Sequence, residues 1–273
     1  MKFKYLIVVF TIIISIVILV TALLPLIMYR PEFVINFRYI TLPLLLFMGL
    51  FLTCMCIYFF INYRLFSLLE REDWPALAYY LEQKIYLKRK YSNKNVRLLA
   101  SSYLVISDYQ SVLKLENKAI LAKPSVVYKN LLIFGAARIL SGSHTDAAGF
   151  FKSNMGKCEK KDKQWLNWFY GFSMLLSGDF NQAEPDFLSL AVSSDNVLIT
   201  GLSSYFLHSS IEKRSINPDK CSEIAENGRK RVLNTVKTIE NWGKETDKVG
   251  AEIHIAIIRK YIDEAGKWLF SKD

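Results

Sequence analysis

The sequence predicts an all-α protein in which an N-terminal transmembrane helical hairpin is followed by an α-solenoid that ends in a capping helix. Three observations support this class: two long uncharged runs stand near the N-terminus, apolar residues then recur at helical spacing, and turns return about every 35 residues. Strand-like alternation of apolar and polar residues is scarce, so we interpret the breaks as turns between helices.

The two apolar runs predict a membrane anchor. Asp, Glu, Lys and Arg are absent from Tyr5 to Tyr29 and from Tyr39 to Tyr63. Each run exceeds the roughly 20 residues that cross a bilayer as a helix. A secretory signal is the alternative for the first run, but its apolar stretch is longer than the roughly 7–15 residues of such a signal. We expect a two-helix anchor over residues 1–64 and a helical repeat domain over residues 65–273.

Basic residues near these runs predict the orientation. The connection between the runs is short, so both termini must lie on the same side of the membrane. It holds two arginines, whereas basic residues both precede the first run and follow the second: Lys2, Lys4, Arg64, Arg71, Lys84, Lys88, Arg89 and Lys90. Because basic residues favour the cytoplasmic side, we expect a two-pass protein of the inner (cytoplasmic) membrane with both termini in the cytoplasm.

The formal net charge of +10 has a membrane interpretation. Lys84, Lys88, Arg89 and Lys90 follow the second run closely, and anionic headgroups attract such residues by about 1 kcal/mol each. These four residues form a predicted lipid-headgroup patch. Cations that compensate the dipole of a helix end are the alternative. Nucleic acid is not an expected partner, because the basic residues are not interleaved with aromatic residues along one stripe.

Turns beyond Tyr63 are regularly spaced. Four of them combine a small or acidic residue with a following aromatic residue or histidine, and they lie 35, 35 and 36 positions apart: Glu72-Asp73-Trp74, Ser107-Asp108-Tyr109, Gly142-Ser143-His144 and Gly178-Asp179-Phe180. A fixed period of this length is typical of a stack of helical hairpins. Asp73 stands where a helix N-cap is expected.

This pattern resembles the tetratricopeptide repeat (TPR), in which two helices form one unit. The third and fourth hairpins match best, with a small residue in the first helix and Ala-x3-Phe in the second: Gly135, Ala147 and Phe151, then Gly171, Ala183 and Phe187. The second hairpin departs from the pattern at Val112 and Glu116, and the first at Leu77 and Leu81. The resemblance implies an α-solenoid.

The resemblance also implies a binding surface, because the first helix of each hairpin lines the inner face of such repeats. The residues that it places there are mostly apolar: Arg97, Leu132, Trp165, Trp168, Phe172 and Phe206. A groove of this kind can seat a helix or an extended segment of a partner protein. The alternatives are that Trp165 and Trp168 pack between hairpins, or that the terminal helices of the chain fill the groove. Those helices are predicted at about Val197 to Lys213, Pro218 to Trp242 and Lys248 to Phe270, the last being the capping helix.

Nothing in the sequence predicts catalysis, a metal or a cofactor. His144, His208 and His254 lie in different units, and the four cysteines show no metal-ligand spacing.

We expect a scaffold or adaptor that recruits or assembles partner proteins at the inner membrane, either as a monomer or as an oligomer. One alternative is a periplasm-facing repeat protein that assists assembly of an envelope complex. The other is an enzyme with an unrecognised site, for which Glu72, Asp73 and His144 are the candidates.

Overall fold

The structure is a computed structural model that describes residues 3–27, 42–250 and 252–271. Helices make up most of these residues, and no strand occurs among them, so the prediction of an all-α protein is confirmed. The chain divides into two compact units, Met1–Tyr80 and Leu81–Asp273. The domain boundary between residues 64 and 65 stays a prediction.

The first unit contains two apolar helices, α1 (Phe3–Ile27) and α2 (Leu42–Glu70), which pack against each other. Within the described residues, one helix segment, Pro43–Glu70, is long and apolar enough to cross a membrane. Many of its large apolar side chains are exposed, whereas Leu65 near its end is buried. In α1 the apolar segment that the structure describes, Val9–Thr21, is shorter. The predicted connection around residues 30–38 lies outside the described residues.

The second unit is a succession of packed helices. Helix α3 (Trp74–Glu82) leads into it and continues as a π-helical turn over Gln83–Leu87. Four pairs follow, in which neighbours in the chain pack together. They are α4 (Asn93–Val105) with α5 (Tyr109–Ala122), α7 (Leu131–Leu140) with α8 (His144–Asn154), α9 (Lys163–Leu176) with α10 (Phe180–Ser193), and α11 (Val197–Phe206) with α12 (Pro218–Val236). The short α6 (Pro124–Tyr128) joins the first two pairs, and α13 (Ile239–Val249) and α14 (Ile253–Leu269) end the chain.

Each of the four predicted turns has the same backbone conformation. The residue before the N-cap has a positive φ: 54° at Glu72, 60° at Ser107, 79° at Gly142 and 84° at Gly178. The next N–H bonds back five residues in every case, for example from Asp108 to the carbonyl of Tyr103 at 2.9 Å and from Asp179 to that of Met174 at 3.0 Å. This is the Schellman motif, which satisfies the last carbonyls of a helix.

Acidic N-caps begin the helix after three of these turns. The carboxylates of Asp73, Asp108 and Asp179 each accept a hydrogen bond at 3.1 Å from the N–H three residues later. Such a cap satisfies a backbone donor that the helix leaves unpaired, and it contributes about 1 kcal/mol. The predicted N-cap role of Asp73 is therefore confirmed.

Small residues and phenylalanines bring the two helices of a hairpin close together. Phe151 is fully buried against Gly135, where an added Cβ would overlap its ring, and Phe187 lies against Gly171 in the next hairpin. Glu116 stands in α5 where the TPR pattern has phenylalanine. Its carboxylate is buried and accepts a hydrogen bond of 2.7 Å from Nη1 of Arg138 on α7, so an ion pair replaces the aromatic contact.

The C-terminal helices differ from the predicted ones. The helix expected from Pro218 to Trp242 ends at Val236, because Lys237 has a φ of 64° and Thr238 caps a new helix by accepting from the N–H of Asn241. The final helix begins at Ile253 rather than near Lys248. The buried side chains of this helix cover a wide face, and the helix packs against α7 and α11 as well as α13.

Candidate functional site

Aromatic rings form the floor of the inner face of the second unit. Trp168 stacks on Phe172 with ring centroids 5.0 Å apart, and Phe206 of α11 lies 5.9 Å from the Trp168 ring. Trp165 meets Trp168 edge to face at 6.1 Å. The structure therefore brings the four predicted inner-face aromatics together, because they recur on one side of α9 and on the neighbouring α11.

Helix α14 covers most of this floor. The ring of His254 lies 5.7 Å from Trp165, and that of Tyr261 lies 5.2 Å from Phe172 and 5.3 Å from Phe206. Trp168, Phe172 and Phe206 are consequently at most 3% exposed. The groove over α9 and α11 thus holds the chain's own terminal helix, which is one of the alternatives that the sequence left open. In this conformation a partner protein cannot contact these three predicted binding residues.

The indole of Trp242 holds α14 against α11. Its Nε1 donates a hydrogen bond of 3.2 Å to the carbonyl of Ile262. The ring lies between two glycines, and a Cβ would come within 2.6 Å of it at Gly201 and within 2.9 Å at Gly266. Glycine at both positions therefore allows the close approach of α11, α13 and α14.

Polar contacts fix the far end of α14. Arg229 of α12 is buried, and it donates from Nε to the carbonyl of Leu269 at 3.1 Å and from Nη2 to that of Ser271 at 2.6 Å. The carbonyl of Leu269 is the last of the helix and lacks a partner within it, and Ser271 lies two residues beyond the helix. The Trp268 indole stacks on the ring of His208 with centroids 5.3 Å apart.

The groove stays open where α14 begins. A cavity of about 230 Å³ remains there, with the inner side of α7, the start of α9 and the connection from α13 to α14 around it. Three of the predicted binding residues, Arg97, Leu132 and Trp165, lie at this cavity. Its full lining is Arg97, Lys129, Asn130, Leu132, Ile133, Asp162, Trp165, Val249, Glu252 and His254. We call it the inner cavity.

Charges of both signs surround the apolar floor of the inner cavity. Arg97 forms an ion pair with Glu252, and Nζ of Lys129 lies 3.8 Å from Oε1 of Glu159. Burial, together with the nearby Arg97 guanidinium, lowers the pKa of His254 to about 4, so its imidazole is neutral at physiological pH. The cavity can therefore enclose an apolar side chain and hydrogen-bond or pair with polar groups at its mouth.

Sequence reasoning missed several residues at this cavity. Lys129 and Asn130 lie in the connection before α7, and Glu252 and His254 come from a distant part of the chain. The signal that could have found His254 was the wide apolar face of the last helix, to which this residue belongs.

The candidates for an enzyme site are separate from the inner cavity. Asp73 acts as an N-cap, Glu70 and Glu72 are exposed beside it, and His144 begins α8. Among residues 3–27, 42–250 and 252–271, no group of His, Cys, Asp and Glu side chains is arranged to hold a metal ion. The predictions of no enzyme and no cofactor stay predictions.

The predicted lipid-headgroup patch lies at the end of the π-helical turn. Lys88, Arg89 and Lys90 are exposed, and Lys84 is partly exposed one turn earlier. Arg89 has a φ of 48°, and the side chain of Asn95 donates a hydrogen bond of 3.1 Å to the carbonyl of Lys90. The basic turn is therefore held by the body of the second unit.

The fold defines a class of all-helical protein with an apolar N-terminal helix and a groove that its own last helix partly fills. Residues 111–271 match the family model described as "Uncharacterised Treponema protein", and the chain belongs to that family. The matched region includes α14 and most of the residues that line the inner cavity. The chain is also similar to an "Uncharacterized protein" of Treponema pallidum (strain Nichols), with 26% identity over 216 residues, or 77% of this chain and 69% of that protein.

Proposed function

We propose that this protein is a membrane-anchored, TPR-like scaffold that recruits or assembles partner proteins at the inner membrane, and that a partner segment binds in the inner cavity. One observation supports this most: α14 closes the groove over α9 and α11 and leaves it open beside α4 and α7. The remaining opening combines an apolar floor with charged groups at its mouth, which is the usual composition of a protein-binding pocket.

The size of the inner cavity favours a side chain over a cofactor. Its volume of about 230 Å³ is below the roughly 300–1,000 Å³ of common small-molecule sites. Leu132, Ile133 and Trp165 would enclose one large apolar side chain of the partner, whose burial contributes about 1.5–3 kcal/mol. Arg97, Lys129 and Glu252 would orient the polar flanks of the same segment.

The repeat part of the proposal has its own support. The four Schellman turns recur at the predicted period, and glycine faces phenylalanine in two successive hairpins. Hairpins stacked in this way present the first helices on one continuous inner face, and they need a terminal element to cover exposed apolar surface. Helix α14 would serve here as that element while it lies along the inner face.

The membrane part is supported by the long exposed apolar surface of α2. We propose a two-pass anchor formed by α1 and α2, with both termini in the cytoplasm. A reporter that is active only outside the cytoplasm, fused after Asp273, should be inactive, and a fluorescent reporter that folds in the cytoplasm should be active. The reverse pattern would favour the alternative of a periplasm-facing protein that assists assembly of an envelope complex.

Charge reversal at the mouth of the cavity tests partner binding. The tagged full chain is isolated in mild detergent after crosslinking, alongside the variants Lys129→Glu and Lys230→Glu. Lys129 lies at the cavity, whereas Lys230 is an exposed residue of α12 with the same charge. We expect a reproducible partner that is lost with Lys129→Glu and kept with Lys230→Glu. Equal recovery from both variants would exclude the cavity as its binding site.

A further inference from the structure

We propose that a basic, leucine-bearing surface of the second unit docks on anionic lipid headgroups. The surface joins the basic turn, Leu87 to Lys90, to the outer end of α5. This inference rests on the membrane anchoring in the proposed function and is independent of partner binding at the inner cavity. It extends the predicted headgroup patch from four residues of one segment to a surface built from two.

A cation–π contact connects the two segments. Nζ of Lys118 on α5 lies 4.1 Å from the centroid of the Tyr86 ring, which directly precedes Leu87. Leu121 stands three positions after Lys118, on the same side of α5. The two segments therefore form neighbouring parts of one surface.

Two leucines on this surface are unusually exposed. Leu87 is 73% exposed and Leu121 is 88% exposed, although both belong to a unit whose other leucines are mostly buried. Exposed apolar side chains flanked by cations are typical of elements that insert shallowly at a membrane interface. Lys88 directly follows Leu87, and Lys123 lies two positions after Leu121.

The charge of this surface is strongly one-sided. Exposed cations come from both segments: Lys88, Arg89 and Lys90 from the basic turn, and Lys114, Lys118 and Lys123 from α5 and its end. None of these six makes an ion pair with another residue of the described chain. The carboxylate of Glu116, on the same helix, is buried and paired with Arg138, so it does not offset the surface charge. The carboxylate of Glu82 lies near Tyr86, but it accepts a hydrogen bond from the Tyr103 hydroxyl. Six exposed cations without an ion-pair partner among the described residues complement an anionic bilayer.

The chain keeps this surface within reach of the bilayer. Leu87 follows the end of α2 at Glu70 by 17 positions, and the stretch from Trp74 to Leu87 is helical. Because a helix rises about 1.5 Å per residue, Leu87 can lie at most roughly 35 Å from the end of the apolar helix. A lipid surface is therefore available to this surface at high local concentration, which a soluble polyanion is not.

Limited trypsin digestion of the full chain in nanodiscs tests docking. Cleavage after Lys88, Arg89 and Lys90 is compared in phosphatidylcholine discs and in discs with one third phosphatidylglycerol. Cleavage after Lys237, an exposed residue with positive φ between α12 and α13, serves as the internal reference. We expect anionic discs to slow cleavage at the basic turn roughly tenfold relative to Lys237, and high salt to remove this protection.

Variants that leave the cleavage sites intact make the test specific. The triple change Lys114→Gln, Lys118→Gln and Lys123→Gln should abolish the protection, as should Leu87→Gln with Leu121→Gln. Matched controls should keep it: Lys213→Gln, Lys220→Gln and Lys230→Gln for charge, and Ile216→Gln, at a residue 94% exposed, for an apolar side chain.

Three outcomes would overturn the inference. These are equal cleavage in both kinds of disc, protection that persists in the α5 triple variant, and protection by a short DNA duplex in neutral discs without protection by anionic lipid. A chain that fails to stay in the discs would instead contradict the membrane anchoring, so the two failures are distinguishable.

Discussion

The guanidinium of Arg229 donates from Nε to the carbonyl oxygen of Leu269 at 3.1 Å, and this contact ties α12 to the last residue of the chain's final helix. A second bond reaches the carbonyl of Ser271 at 2.6 Å. Leu269 is fully buried, and its carbonyl is among the last of the helix, which have no partner within it. Hydrogen bonds to specific atoms of α12 therefore hold the end of α14 in place in the groove.

Removing this guanidinium should loosen α14. We expect Arg229→Met to lower the free energy of unfolding by about 2 kcal/mol, because the charged hydrogen bonds to the carbonyls of Leu269 and Ser271 are lost. Urea denaturation of the detergent-solubilised full chain, followed by tryptophan fluorescence, measures the change. Lys230→Met is the control, since Lys230 is exposed on the same helix, and its effect should stay within about 0.5 kcal/mol. Equal effects of the two changes would contradict the assigned role of Arg229.

The contact of Trp242 with glycine makes a second prediction. A Cβ at position 201 would lie 2.6 Å from Cη2 of the Trp242 ring, so Gly201→Ala should destabilise the fold by about 1–3 kcal/mol. Gly243 lies in α13 beside Trp242 and has open space around it. Gly243→Ala should therefore be neutral or stabilise by up to about 1 kcal/mol through its helix propensity. If Gly201→Ala were as harmless as this control, α11, α13 and α14 would not be packed as described.

The ion pair that replaces an aromatic residue in the second hairpin is also testable. Arg138 donates to Glu116 at 2.7 Å and to Asp146 at 3.0 Å, and its guanidinium lies 4.1 Å from the centroid of the Phe150 ring. Glu116→Ala should cost about 3 kcal/mol, because it leaves a mostly buried cation without its main partner. Asp146→Ala should cost less than about 1 kcal/mol, since that carboxylate is exposed.

A double variant separates loss of the pair from loss of packing. Glu116→Leu with Arg138→Leu removes both charges and keeps apolar volume, so it should recover most of the stability that Glu116→Ala loses. Thermal or urea denaturation of the unsubstituted chain, of the single variants Glu116→Leu and Arg138→Leu, and of the double variant forms the required cycle. A double variant as unstable as Glu116→Ala would mean that side-chain volume, not the unpaired cation, determines the loss.

Burial of His254 predicts a dependence of stability on pH. Its pKa is lowered from 6.5 to about 4 by burial and by the nearby Arg97. Between these two values the unfolded chain binds a proton that the folded chain does not, so stability should fall as the pH decreases from 6.5 towards 4. The loss from this group amounts to at most about 3 kcal/mol.

The variant His254→Gln isolates the contribution of His254 to the pH dependence of stability. Glutamine stays neutral throughout, so the stability of the variant relative to the unsubstituted chain should increase as the pH falls from 6.5 to 4. Urea denaturation of both proteins at several pH values measures this difference, from which contributions common to the two proteins cancel. Two curves that stay parallel over this interval would contradict a buried, neutral His254.

Local features of the hairpins could be predicted from the sequence, because neighbouring residues determine them. Gly142 and Gly178 mark two of the turns, and both have the positive φ that glycine adopts at low cost. Asp73 caps the helix that the sequence assigned to it. Phe151 faces Gly135 because their spacing encodes contact between the two helices of one hairpin.

The position of α14 could not be predicted in the same way. Its sequence shows an amphipathic helix, but which surface it covers depends on residues far away, such as Arg97 and Arg229. The break at Lys237 was missed because a positive φ on a lysine has no local signal. The sequence therefore indicated which aromatic residues lie together, whereas the helix that covers them and the cavity beside it required the tertiary structure.

The central claim, that a partner segment binds in the inner cavity, is tested most directly by photo-crosslinking in living cells of the native host. Benzoylphenylalanine is placed at position 249, which lines the cavity, or at position 230 on α12. We predict a discrete, light-dependent protein adduct from position 249 that disappears with Arg97→Glu and is absent from position 230. No adduct from position 249, or the same adduct from both positions, would contradict the account.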